Sequence, residues 1–184
     1  MRAVVVYESM YGNTHVIADA IGAGLAGGFD VDVVRVAEAG RALAEADLLV
    51  VGGPTHMHGM ARRSTRKAAV KAAAAGGLAL EPDALRTGLR EWLDSLGKSK
   101  AHAKAAAFDT RLKGPAAFTG SAAKGAGNAL RHLGYDLVAE PESFLVTKQD
   151  QLVPGERDRA LTWGSALAAA CSRPGDAIKR GFED

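Results

Sequence analysis

The chain has 184 residues and a formal net charge of +2, from 23 Lys and Arg against 21 Asp and Glu. That length suits one domain. The balanced charge argues against a nucleic-acid binder, and no run of about 18 apolar residues is present to span a membrane. Ala inflates the 47% hydrophobic fraction, but the larger apolar residues still suffice for one core and are too many for a disordered chain. The apolar run at the N-terminus is too short for the core of a signal peptide. A lone Cys171 excludes an internal disulfide and a multi-Cys metal site. A cytoplasmic protein fits these facts.

Residues 3–6 are a short, mostly β-branched apolar run, the pattern of a parallel strand buried on both faces. The segment from Glu8 to Thr14 reads as a turn. A helix follows, with Val16, Ile17, Ala20, Ile21 and Leu25 at helical spacing and a stop at Gly27-Gly28. A second strand is expected over 29–36 and a short helical piece over 38–45. Leu48 to Val51 form a third strand that runs into a Gly- and Pro-containing loop, 52–59. A basic, Ala-rich helix is expected over 62–75, ending at Gly76-Gly77. Another is expected over 83–96, capped by Asp83, with Leu85, Leu89, Trp92, Leu93 and Leu96 on its apolar face.

The Ala-rich stretch 101–108 is expected as a fourth strand, followed by a long loop from Asp109 to Gly120. Ser121 starts a helix that Gly134 stops. The fifth strand covers 135–147 and is interrupted near Glu140-Pro141. A last helix runs from Pro154-Gly155 to about Ala170. Strands alternating with helices imply an α/β fold, a doubly wound five-stranded parallel sheet with helices on both faces. It forms a single domain over 1–171, and a tail over 172–184 looks loosely held.

Two tempting motifs fail on position. Gly22 to Gly27 matches G-x-G-x-x-G, but it closes a helix instead of opening one after a strand, so the match reads as accidental. Gly97-Lys98-Ser99 ends a helix and lacks the glycine that a phosphate-binding P-loop needs five places earlier. No G-x-S-x-G elbow is present, and Cys171 reads as a packing residue.

In an open α/β sheet, ligands bind beyond the carboxyl ends of the strands at the topological switch point. Three loops there stand out. Ser9-Met10-Tyr11-Gly12-Asn13-Thr14 follows the first strand, Gly53-Pro54-Thr55-His56-Met57-His58-Gly59 the third, and Asp109-Thr110-Arg111 opens the loop after the fourth. The first has the chemistry of a phosphate cradle: two hydroxyls, a glycine that lets backbone N–H groups turn inward, and a helix N-terminus behind it. An ordinary capped strand-to-helix turn would have the same appearance.

The segment Ser9-Met10-Tyr11-Gly12-Asn13-Thr14 after a Val-rich strand resembles the phosphate loop of the flavodoxin family. Gly53-Pro54-Thr55 is similar to that family's second, ring-contacting loop. The resemblance implies the sheet order 2-1-3-4-5, non-covalent FMN and electron transfer with a redox partner protein. The opening of the chain is also similar to the flavodoxin-like NAD(P)H:quinone oxidoreductases, which implies two-electron quinone reduction and commonly oligomers. By resemblance, Ser9, Gly12, Asn13 and Thr14 hold the phosphate, with Met10 and Tyr11 supplying backbone N–H groups. Pro54, Thr55, His56, Met57, His58 and Gly59 line one side of the ring, and Asp109, Thr110 and Arg111 approach from the third loop. No catalytic side chain and no metal are implied.

Two departures stand out. Tyr11 replaces a small hydroxyl, and the second loop has no Trp or Tyr to stack on a ring; Trp92 and Trp163 fall in helices and read as core. A cofactor-poor interaction domain of the same fold is therefore a rival expectation. His56 and His58 are read as ring neighbours that carry charge near neutral pH or as exposed loop residues. His15 is read as a surface residue, and His102 and His132 as structural. Arg62, Arg63, Arg66, Lys67 and Lys71 are read as a solvated helix face.

Overall fold

The computed structural model describes residues 1–172 apart from 41–42, 44–45, 77–78, 83 and 100–101. Strand β1 (Arg2–Tyr7) leads to helix α1 (Asn13–Leu25) and strand β2 (Asp30–Arg35). A 3-10 turn at Val36–Glu38 follows. Strand β3 (Leu48–His56) folds back onto the short β4 (Gly59–Met60), and α2 (Arg63–Gly76) and α3 (Leu89–Ser95) come next. Strand β5 (Lys104–Leu112) precedes α4 (Ala116–Thr119) and α5 (Ala122–Leu133). The chain ends in β6 (Asp136–Leu137), β7 (Glu142–Val146) and α6 (Glu156–Cys171).

The sheet runs β2-β1-β3-β5, with β6 and β7 end to end along the far edge of β5, all parallel. β6 pairs the first half of β5 and β7 the second. They are the two halves of the expected fifth strand, separated at Pro141, which has no N–H to give to the ladder. The core order is therefore 2-1-3-4-5 in strand terms.

Alternation divides the core into two layers. Val5, Val50, Ala106 and Phe108 face α1 and α6, against Ile17, Ile21 and Leu167. Val4, Val6, Leu49, Val51 and Ala107 face the other side, against Leu89, Trp92, Leu93 and Leu130. A parallel sheet covered by helices on both faces needs such unbroken apolar strands. Trp92 is buried, and Trp163 packs edge-on against Phe108 and Phe144. Both tryptophans belong to the core, as expected, and Cys171 is buried there too.

Gly24, the middle glycine of the G-x-G-x-x-G match, has a packing role. A Cβ at Gly24 would lie 2.1 Å from the Leu161 carbonyl oxygen, and one at Gly164 would lie 2.3 Å from that of Ile21. The two bare backbones let α1 and α6 touch, so the motif marks a helix crossing and not a dinucleotide site.

Several boundaries differ from the sequence expectation. The expected helix over 83–96 is only α3, because 84–86 form a turn and bend and 87–88 run non-helical into the cap. Gly88 N-caps α3, the Glu91 carboxylate accepts the Gly88 N–H at 3.0 Å, and Leu85 is exposed. Asp83, the expected cap, lies outside the described residues, as do Gly77, residues 173–184 of the tail and part of 38–45. Strands β3 and β5 both run farther than expected, through Pro54–His56 and Asp109–Leu112. The second loop is thus a hairpin. Asp109, Thr110 and Arg111 sit on a strand end instead of a loop, because β7 continues the ladder beside them.

Gly164→Ala and Gly24→Ala should each force the α1–α6 pair apart, at a cost of about 1–3 kcal/mol. At about 2–4 °C per kcal/mol for a chain of this size, thermal unfolding should shift down measurably. A control Gly27→Ala, at a position with open space around it, should leave the melting temperature close to wild type.

Candidate functional site

The carboxyl ends of β1, β3, β5 and β7 open on one cavity of about 630 Å³, inside the usual range for small-molecule sites. All three loops singled out in the sequence contribute to it. Its remaining walls are one face of α2, through Ser64, Thr65, Ala68 and Ala69, and the end of β7, through Val146, Lys148 and Asp150.

Gly12 has φ +93° and N-caps α1, and no side chain caps that helix. The first-turn N–H groups are therefore open to an anion. The loop's own polar side chains hold its shape. Ser9 Oγ accepts the Gly12 N–H at 3.1 Å, the Thr14 and Thr110 hydroxyls meet at 2.7 Å, and Asn13 Nδ2 donates to the Asp150 carbonyl at 2.8 Å. Tyr11 OH reaches across to the Ala69 carbonyl at 3.0 Å, so the phenol links the loop to α2. Met10, Tyr11, Asn13 and Thr14 line the cavity, while Ser9 and Gly12 shape it from behind. The outside of the loop is braced by Glu81. Its N–H donates to the Met10 carbonyl, and its carboxylate meets His15 at 3.2 Å and Arg35 at 2.6 Å. His15 also stacks on Tyr7, with ring centroids 4.8 Å apart. It is an anchored residue, contrary to the surface reading.

The second loop is the β3–β4 hairpin. His56 pairs with Gly59, and the two connecting residues, Met57 and His58, have φ +48° and +71°. Positive φ at both positions is the pattern of a type I′ turn, which normally takes Asn and Gly. Pro54, Thr55, His56 and Met57 line the cavity; His58 and Gly59 do not. His58 instead bridges the backbone of Gly120.

In the third segment Thr110 and Arg111 line the cavity, but Asp109 does not. Asp109 is fully buried, and one of its oxygens, Oδ2, accepts from Thr55 Oγ1 at 3.0 Å, Ser121 Oγ at 2.8 Å and the Ala123 N–H at 2.8 Å. Its carboxylate therefore ties β3 to the start of α5. Arg111 Nη1 donates to the Gly114 carbonyl at 2.7 Å and to Thr119 Oγ1 at 3.0 Å. Its Nε is buried without a partner among the described residues.

The electrostatics correct two readings. Arg66 is not on a solvated face: it is 3% exposed, forms a two-pronged pair with Glu91 at 3.0 Å and lies 3.8 Å from Glu8. That pairing pulls the Glu91 carboxyl below its ordinary range, although its burial acts the other way. His56 is pushed below 6.5 by burial first and by Arg66 second, with Asp150 opposing. Burial raises the Asp150 carboxyl, and burial followed by the Asp150 charge raises the Tyr11 phenol. His56 is thus a neutral neighbour of the cavity at pH 7. Charge at the walls comes from Arg111 and Lys148, with the Asp150 carboxylate opposite in sign.

Sequence reasoning missed the α2 face and the β7 end. Lys148 and Asp150 sit beyond the last strand, where no motif marks them. The β7 end reaches the cavity because it extends β5. Among the described residues no His, Cys, Asp and Glu cluster could hold a metal ion, and no helix is long and apolar enough to cross a membrane.

A folded state that resists protonating His56 loses stability as the pH falls below about 6.5, where the unfolded imidazole takes up a proton. NMR titration of the His56 ring should place its midpoint below 6.5, and His56→Gln should flatten part of the acid side of the stability profile. A midpoint at or above 6.5 would contradict this.

The flavodoxin family model matches residues 5–92, just under half of the chain. No curated protein sequence matches it. Among solved structures, a flavodoxin from the Archaea superposes with a TM-score of 0.62 at 20% identity, over 94% of this chain and 100% of that one. Flavodoxin 1 from Bacillus cereus gives 0.62 at 20%, over 92% and 98%. A WrbA-like flavodoxin from Agrobacterium tumefaciens gives 0.58 at 17%, over 92% and 96%. At such identities the structures speak to fold alone. The chain has the flavodoxin-like fold, and its N-terminal portion, with the first loop and the hairpin, carries the flavodoxin family's sequence pattern.

Proposed function

We propose that the protein is a cytoplasmic, single-domain redox protein that binds FMN non-covalently in the cavity. The observation that carries this is the meeting of the family-patterned first loop with the hairpin and the β5 end around one space of flavin size. Three features fit a phosphate-bearing ring. The N-terminus of α1 is uncapped and follows a left-handed Gly12. Arg111 has a buried guanidinium N–H without a partner among the described residues. The hairpin and the small residues of α2 leave a slot between them. When bound, FMN would supply the one- and two-electron chemistry.

In this reading the α1 N–H groups and Asn13 hold the phosphate, and Ser9 and Thr14 keep the loop in register. Pro54 to Met57 cover one side, and Thr110 and Arg111 meet the ring's polar edge. Tyr11 and His56 are the aromatic neighbours, in place of a Trp–Tyr pair. Asp109, His58 and Gly59 act by supporting the walls. A quinone reductase is the second reading. It is favoured by the convergence of Tyr11, His56 and Asp150, which could hold or pass a proton to a reduced substrate.

Titration with FMN should quench flavin fluorescence and shift its visible spectrum; no binding at tens of micromolar ends this reading. Gly12→Val, at φ +93°, costs about 1–3 kcal/mol of strain in a folded loop. It should weaken FMN binding at least tenfold while the circular dichroism spectrum persists. Steady NAD(P)H oxidation with a quinone would select the reductase over the carrier.

Arg111 and Lys148 bring positive charge to the cavity, where acidic flavodoxins present negative charge. The last reduction step should therefore lie at a higher potential than in an acidic flavodoxin, and Arg111→Gln should lower it. An unshifted potential in that variant would remove Arg111 from this role.

A further inference from the structure

The near-neutral total hides a strong separation of charge. Residues 53–80 and 110–125 hold eight of the 23 cations and none of the 21 carboxylates, so the rest of the chain is −6. They include the hairpin, α2 and the β5 end, which line the cavity, and run on into α4 and the start of α5; one of the eight cations, Arg66, is buried against Glu91. On α2, exposed Arg63 and Lys67 flank the cavity-lining Ser64, Thr65 and Ala68. The Lys113 N–H bonds the Val146 carbonyl at 2.9 Å, which fixes that exposed lysine at the end of β7, close to exposed Lys148. The carboxylates that border this region are engaged or recessed. Glu91 grips Arg66, Glu81 is held by His15 and Arg35, and Asp150 is half-buried in the cavity wall.

The same rim is apolar at its centre. Met57 and Phe118, 83% and 77% exposed, are the two most exposed large apolar side chains among the described residues, and Leu112 is 47% exposed. Met57 and Leu112 line the cavity. Phe118 lies in the same segment as Gly120, which bridges His58 next to Met57, and Thr119, which bonds Arg111 next to Leu112. Met57 is held outward by a turn whose two positive-φ residues are not glycine. Such backbone strain persists only where the surroundings enforce it. An apolar centre with a one-signed charged border is the make-up of a protein-docking surface.

We propose that this rim docks an acidic electron-transfer protein, with Met57, Leu112 and Phe118 as the apolar centre and Arg63, Lys67, Lys113 and Lys148 as the steering border. The proposal rests on the redox reading of the cavity and names its partner class. A ring of carboxylates on the partner would be drawn to this face and kept from the −6 remainder of the chain. The attraction sets orientation and association rate, and salt screens it.

The test uses the full chain, labelled for NMR, with an acidic [2Fe–2S] ferredoxin as probe and basic cytochrome c as its opposite. Both are titrated against the protein before and after FMN addition. Ferredoxin should shift the resonances of Met57, Leu112 and Phe118 and their neighbours, and about 0.5 M salt should weaken it at least tenfold. The triple variant Arg63→Glu, Lys67→Glu, Lys113→Glu replaces no cavity-lining side chain. It should lose ferredoxin, gain cytochrome c and keep the wild-type response to FMN. Absent ferredoxin binding, shifts on another face, or an unaffected triple variant overturns the proposal. So does NADPH producing the rim shifts where ferredoxin produces none. Ferredoxin binding at the rim of a chain that never takes up FMN would uphold the surface and sink the redox reading instead.

Discussion

Everything at the carboxyl end of this sheet depends on buried carboxylates used as internal fasteners. Asp109 is the centre of that arrangement. It sits at full burial on β5, and a single oxygen takes two hydroxyls and a helix-terminal N–H. Those bonds join β3, β5 and α5, the three elements that carry the hairpin and the third wall. Thr55 passes the tie on by accepting the Ala122 N–H at 2.8 Å. Charge-assisted bonds of this kind are stronger than neutral ones, and a buried partner left alone would be costly. The geometry of the cavity is therefore a consequence of where one carboxylate finds its donors.

Glu8 repeats the device after β1. One oxygen accepts the Leu89 N–H at 2.8 Å, at the start of α3, and the other lies 3.8 Å from Arg66. Glu91 completes the chain by gripping the same guanidinium. The link fastens α2 to α3 and to the end of β1, so the small-residue face of α2 is held against the cavity. Both carboxylates also lie at helix N-termini, where the helix dipole favours a negative charge. Glu8, Glu91 and Asp109 are taken up in this fastening, and Asp150 is the one carboxylate among the described cavity-lining residues.

Much of the arrangement was legible from residues alone. Apolar runs bounded by Gly and Pro located all the principal parallel strands. Ser121 and Gly134 do bound α5, Ser121 by accepting the Lys124 N–H and Gly134 by its left-handed backbone. Local chemistry decides such features, so local reading finds them. Arg66 and Asp109 show the opposite case. A basic residue in a run of basic residues reads as solvated, and an Asp beside Thr and Arg reads as a ligand contact. Their roles depend on partners up to 58 residues away for Arg66 and up to 54 away for Asp109. The hairpin at Met57-His58 was also invisible, because neither residue is the Asn or Gly that such a turn normally takes.

The sequence by itself determined the layered α/β class and the three loops at the switch point, while the strand order came only with the family resemblance. Period and turn chemistry are properties of neighbouring residues. It also held the net charge of +2, which looked uninformative as a sum. Only the tertiary structure decided that the cations gather at the cavity mouth while the carboxylates are buried as fasteners or lie elsewhere. Position in space, and not the total, sets the field that a ligand or partner meets, and position follows from packing between segments far apart in the chain.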